Sequence, residues 1–192
     1  MALIDSYGRL VYDLETLIAQ GLSAAVYTQT TDVEGEVNGL ITYDRKVTKI
    51  PEGLLHLMHN RLYEITPAKA VTLIADGQNG SKNTRLVSLN GQELKMTSLP
   101  FDCPPRSTVV SEATFKVDKD FNYLSLWLNV AGEAKVWLNG VEVFAQEAKQ
   151  TRQYNQYNIS DYSRYLRKGS NLLKIEVKDS KKMRFDYGLR AY

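Results

Sequence analysis

Three carboxylates, Asp32, Glu34 and Glu36, stand at i, i+2 and i+4 in one polar stretch. Such a group could hold a cation or exchange protons, or serve only as loop structure with Asp32 and Asn38 as caps. A second polar cluster runs Gln150-Thr151-Arg152-Gln153-Tyr154-Asn155-Gln156-Tyr157-Asn158. Amides and a guanidinium hydrogen-bond hydroxyl groups, and tyrosine rings stack on apolar surfaces. This is the chemistry of a carbohydrate groove and also of an ordinary sandwich-edge loop. Arg152, Tyr154 and Asn155 are its candidate binding residues. His56 and His59 are three apart, a spacing that can put two imidazoles on one face, but a metal needs a further ligand and none is evident. They read as packing or surface histidines, and no metal ligand is assigned. Asp76, Asn79 and Asp102 are loop oxygen donors suited to a structural calcium ion; no other cofactor is expected. Cys103 is the single cysteine. It lies in Phe101-Asp102-Cys103-Pro104-Pro105 with no histidine beside it and reads as a structural thiol.

The chain has 192 residues, 43% hydrophobic and 24% charged, with a formal net charge of +2. That composition is ordinary for a globular protein, with room for one domain and an appendage. No long basic run argues for nucleic acid; the lysines at 178, 181 and 182 read as a solvated loop. No apolar run approaches the roughly twenty residues that span a bilayer. The first residues lack the basic region and sustained apolar core of a signal peptide.

Two periodicities must position these groups. Residues 6–20 place Leu10, Val11, Leu14, Leu17 and Ile18 on one helical stripe, with Asp5 or Ser6 as the cap and Gly21 at the left-handed end. Leu22 to Thr28 is a small, apolar, non-alternating run that suits a parallel strand covered on both faces. After a polar loop, Pro51 opens a second helix with Leu54, Leu55, Met58 and Leu62 on one stripe. Helix, strand, loop and helix form a fragment of a βα array. A lone parallel strand leaves backbone groups unpaired, so residues 1–63 need a partner: the rest of the chain, another chain, or a missing barrel.

From about Ile65 the period becomes two. Val71, Leu73 and Ala75 alternate with polar residues, as do Ala113, Phe115 and Val117, then Leu124, Leu126, Leu128 and Val130, then Leu173, Ile175 and Val177. Asn90-Gly91 and Asn139-Gly140 are hairpin turns, and residues 160–166 read as one helical turn before Gly169. At least seven short strands predict a β-sandwich. Trp127 and Trp137 are expected on adjacent strands. Trp137 reads as core; exposed, it would form a sugar platform with Tyr154 and Tyr157.

Two stretches resemble a known family. Tyr27-Thr28-Gln29-Thr30-Thr31-Asp32-Val33-Glu34-Gly35-Glu36-Val37-Asn38-Gly39-Leu40, followed by Thr42-Tyr43-Asp44-Arg45, resembles the last barrel strand and following loop of glycoside hydrolase family 2, the β-galactosidase-like enzymes. Ala134-Lys135-Val136-Trp137-Leu138-Asn139-Gly140-Val141-Glu142-Val143, with Tyr157 to Tyr162 and Gly169 to Val177, resembles the galactose-binding-like jelly roll of the same enzymes. The resemblance implies a mainly β chain: a remnant of the end of a TIM barrel over 1–65, then a jelly-roll sandwich over 66–192. It implies that Tyr27 and Gln29 lie at the rim of the parent's sugar pocket. Retaining glycosidases need two carboxyl groups about 5 Å apart, and in this family both lie on barrel strands absent from this sequence. The expected function is therefore a non-catalytic accessory region of a family 2-like hydrolase, with carbohydrate as a partner. The alternative is a structural or docking module without sugar binding, active only within a larger assembly through residues 1–63. The family is often exported.

Overall fold

The computed structural model describes residues 2–77, 84–148, 153–179 and 181–192. The chain divides into two compact units, Met1–Lys69 and Ala70–Tyr192.

In the first unit, helix α1 spans Ala2–Ala19 and helix α2 spans Glu52–Tyr63. α1 begins four residues before the expected start. Asp5 therefore lies in its first turn, where its charge complements the helix dipole, and neither Asp5 nor Ser6 is a cap. Gly21 holds the left-handed end at φ +107°. The packed face is also rotated from the expected stripe. Tyr7 and Val11 join Ile50 in a small core against Leu54, Leu55, Met58 and Leu62 of α2. Leu10 and Leu17 are exposed. Buried Glu15 on α1 is offset by Arg61 of α2 at 2.9 Å, so an ion pair occupies part of the interface that the apolar stripe was expected to fill.

The parallel strand expected over Leu22–Thr28 does not form. The unit offers no strand beside it, and a ladder needs a partner. Residues 29–50 form a compact loop tied by isolated bridges between Thr31 and Ile41, Val33 and Glu36, and Ile41 and Thr48.

The second unit is a sandwich of two antiparallel sheets. The six-stranded sheet has the order β3-β2-β5-β10-β7-β8, from strands Gln92–Ser98, Thr84–Leu89, Ser107–Val117, Gly169–Asp179, Glu133–Leu138 and Val141–Gln146. The five-stranded sheet has the order β1-β11-β6-β9, from Val71–Ile74, Met183–Ala191, Leu124–Asn129 and Asn155–Asn158, with β4 (Phe101–Cys103) also on β11. Both Asn-Gly turns make the expected hairpins, with Asn90, Gly91, Asn139 and Gly140 all at positive φ. A short 3-10 helix, Ser160–Tyr165, fills the predicted helical turn.

Alternation decides which residues meet between the sheets. Leu173, Ile175 and Val177 of β10 lie beside Leu138, Val136 and Ala134 of β7, all buried. Leu124, Leu126 and Leu128 of β6 face them with Phe185, Tyr187 and Leu189 of β11. A polar pair sits in this core: the hydroxyls of Ser111 and Tyr187 are 2.9 Å apart, linking the two sheets. Burying both hydroxyls is tolerable because each finds a partner.

Candidate functional site

The same alternation turns the other side chains of the five-stranded sheet outward. Three rows cross its outer face: Arg190, Ser125 and Asn158; Gly188, Trp127 and Gln156; Asp186 and Asn129. Gly188 is small for a reason. A Cβ there would meet the backbone nitrogen of Asp76 at 3.1 Å and its Cβ at 3.0 Å, so glycine lets the segment after β1 close onto the sheet.

That segment brings Asp76 over Arg190, whose Nη2 is 3.3 Å from the Asp76 carboxylate. The guanidinium also lies 4.3 Å above the Trp127 ring, a cation–π contact backed by the carboxylate. Asp186 is fully buried. Its Oδ2 accepts from the Gly77 amide at 2.7 Å and from the Tyr154 hydroxyl, and its Oδ1 accepts from the Tyr187 amide at 2.8 Å. Burial first, then the bond to Asp186 and the charges of Asp186 and Asp76, push the Tyr154 phenol well above its ordinary value. Tyr154 is thus a permanent donor near neutral pH. Both of these carboxylates, Asp76 and Asp186, are engaged by donors, an arrangement that holds polar groups on this face.

Farther along β11, a cleft of about 370 Å3 opens among Asp102, Asn129, Lys182, Met183 and Arg184. Asp102 of β4 stands opposite Arg184 in the ladder. The cleft and the Asp186 row share Asn129. Its volume falls within the roughly 300–1,000 Å3 of small-molecule sites, and it offers an acceptor, an amide and two cations.

The expected binding residues scatter. Tyr154 joins this face. Asn155, one residue on, faces the other side of β9, and its amide donates to Gln153 at 3.1 Å. Arg152 lies outside the described residues. Tyr157 points inward, packed on Phe144 with ring centroids 4.3 Å apart. Trp137 is not core: it alternates with buried Val136 and Leu138 and turns out of the six-stranded sheet, 5.8 Å from the Lys174 ammonium. The two tryptophans are on different sheets, β6 and β7 being sequential but not neighbours, so the platform of Trp137 with Tyr154 and Tyr157 does not form.

In the first unit, the Tyr27 hydroxyl donates to the Asn38 carbonyl at 2.7 Å, and its ring meets Tyr7 edge-on. The Gln29 amide donates to the Asn38 side chain at 3.2 Å. Asp32 accepts from Lys49 at 2.5 Å and from the Gly39 amide at 2.9 Å. A Cβ on Gly39 would fall 2.3 Å from the Asp32 nitrogen, so the loop closes there only with glycine. Asp32 is thereby a loop anchor, separate in role from Glu34 at the positive-φ turn. The histidines part company: His59 bonds the Tyr7 hydroxyl at 2.7 Å, while His56 lies 3.7 Å from Glu52.

Cys103 is buried, and burial, followed by the nearby Asp102 and Asp179 charges, pushes its thiol up to about 12. It stays protonated, the state of an inert structural thiol. Of the proposed calcium donors, Asp76 is engaged with Arg190, Asp102 lines the cleft, and Asn79 lies outside the described residues. Among the described residues no three histidine, cysteine or acidic side chains gather as a metal-binding group. No described helix is long and apolar enough to cross a membrane.

No protein-family model and no curated protein matches this chain. Solved structures similar to it include a β-glucuronidase from Ruminococcus gnavus, at 10% identity and a TM-score of 0.47, covering 67% of this chain and 29% of that one. An FMN-binding β-glucuronidase from Facaelibacterium prausnitzii L2-6 shares 17% identity at a TM-score of 0.46, over 64% of this chain and 22% of that one. A β-D-mannosidase from Dictyoglomus thermophilum shares 11% identity at a TM-score of 0.42, over 59% of this chain and 16% of that one. The chain thus spans less than a third of each of these proteins.

Proposed function

We propose that this chain is a non-catalytic accessory module of a family 2-like glycoside hydrolase, and that its sandwich holds carbohydrate on the outer face of the five-stranded sheet. One observation carries the reading: the cleft of Asp102, Asn129, Lys182 and Arg184 shares Asn129 with the row of Asp186, which holds the Tyr154 hydroxyl, and the Arg190–Trp127 pair stands farther along the same face. Donors, acceptors and an indole on one rigid sheet match the hydroxyls and apolar faces of a sugar. The sequence resemblance of 27–45 and 134–143 supports the family. The engagement of Asp76 and Asp186 by donors supports a holding role over hydrolysis.

A panel of galactosides, plant cell-wall glycans and host glycans, read by calorimetry, tests this. Binding should weaken about tenfold in Arg184→Ala, the loss of one charged hydrogen bond or slightly less. Trp137→Ala, on the other sheet, should leave it unchanged. Flat responses across the panel would remove the carbohydrate reading.

A further inference from the structure

Asn129 is only 7% exposed, yet its side-chain amide makes no hydrogen bond with any described residue. Buried polar groups nearly always find partners. Two other side chains of β6 are unpartnered, at Ser125 Oγ and Trp127 Nε1, and both of those atoms are sealed from solvent. The Asn129 amide is not sealed. It lines the cleft of about 370 Å3, so a polar molecule seated there would complete its hydrogen bonds.

The same cleft gathers cations. Lys182 precedes β11 and Arg184 is its second residue. Both are exposed, and neither forms an ion pair or a hydrogen bond through its side chain with a described residue. Asp102 stands opposite Arg184 in the ladder without a side-chain bond to it. Asp186, one row away, is buried and already accepts from the Gly77 and Tyr187 amides. Two cations against the Asp102 carboxylate leave one positive charge in the cleft. A neutral sugar leaves that charge unmatched. A carboxylate or a sulfate ester carries a single negative charge and meets it through charge-assisted hydrogen bonds, which are about twice as strong as neutral ones. A phosphate monoester carries nearly two charges and exceeds it.

Resting on the carbohydrate role proposed above, we infer that the cleft selects an acidic glycan. Lys182 and Arg184 hold one carboxylate or sulfate ester of the sugar. The Asn129 amide holds a neighbouring hydroxyl, and Asp102 accepts from another hydroxyl across the cleft. Arginine presents a planar fork to such an oxyanion and lysine a point charge, so Arg184 sets the orientation and Lys182 adds attraction.

Calorimetric titration of the full chain against matched pairs of oligosaccharides tests this. One pair is an oligogalacturonate and its methyl ester; the other is a sulfated galactan oligosaccharide and its desulfated parent. In at least one pair the acidic member should bind at least about tenfold tighter. Raising sodium chloride from about 50 to about 300 mM should weaken the acidic member and spare the neutral one. Arg184→Gln should erase the preference between members. Lys135→Gln, the same charge change on the six-stranded sheet, should keep it. A preference confined to the first pair names a uronic acid, and one confined to the second names a sulfated sugar. Equal binding within both pairs overturns the inference and leaves the carbohydrate role standing. Binding of no member overturns both. A preference that survives Arg184→Gln combined with Lys182→Gln, or equal binding of oligoglutamate, an anion without a sugar, also overturns the inference.

Discussion

Replacing Tyr154 by phenylalanine removes one hydroxyl and leaves the ring. That hydroxyl donates to Asp186, a carboxylate with no exposed surface, so the bond lost is charge-assisted. Hydrogen bonds to charged groups contribute about 1.5–3 kcal/mol. Tyr154 is itself only half-buried, and water can partly replace the hydroxyl. Asp186 also keeps the Gly77 and Tyr187 amides. The cost should therefore fall low in that range, at about 1–2 kcal/mol. Tryptophan fluorescence during urea unfolding is the right assay, because both tryptophans, Trp127 and Trp137, lie in the sandwich. With a slope of about 2 kcal/mol per molar, the midpoint should drop by about 0.5–1 M. The pH profile supplies a second readout. The native state raises the Tyr154 pKa above 10.0, so its contribution is complete below pH 10 and declines as pH rises toward the native value. The gap between wild type and variant should accordingly narrow above pH 10. A midpoint shift under about 0.2 M, or a gap that stays constant through pH 11, would refute the assignment of Tyr154 as the buried carboxylate's donor.

Two further outcomes follow from local geometry. A thiol moved from 9.0 to about 12 holds about a thousandfold less thiolate at pH 8; Cys103 should react with a disulfide reagent at least a hundredfold more slowly than free cysteine, until urea opens the sandwich. A Cβ on Gly132 would sit 2.1 Å from the Lys178 carbonyl oxygen of β10, while one on Gly91 meets nothing within 4 Å. Gly132→Ala should cost about 3 kcal/mol or more through backbone displacement, Gly91→Ala only about 1 kcal/mol through its positive φ, and equal losses in urea titrations would contradict this packing.

The sandwich was legible because its signals are local. Alternation at Leu124, Leu126 and Leu128 and at Leu173, Ile175 and Val177, with two Asn-Gly turns, depends on neighbours two residues apart. What escaped was strand β11. Met183, Phe185, Tyr187 and Leu189 alternate with Arg184, Asp186, Gly188 and Arg190 as cleanly as any strand in the chain, but the preceding lysines read as loop. Missing it hid most of the candidate site. No local signal joins Asp76 to Arg190, 114 residues away, or Gly77 to Asp186, 109 away. The phase of α1 failed for a different reason. Its leucines define an apolar stripe, but the Tyr7–His59 bond and the Glu15–Arg61 pair hold another face against α2. Such pairings are decided by tertiary neighbours, and propensity yields to them.

The place of β11 in the sandwich also orders its assembly. Every strand of the six-stranded sheet lies between Thr84 and Asp179. That sheet can form its ladder during synthesis before β11 has been made. The other sheet cannot be completed so early: β6 has β9 beside it, but β1 and β4 pair only with the nine residues of β11, and Val71 finds its partner in Ala191. Until then Leu173, Ile175 and Val177 lack the cover of Phe185, Tyr187 and Leu189. A ribosome pausing before β11 emerges would therefore hold the nascent sandwich with its core only partly covered, and chaperone demand should rise in that interval.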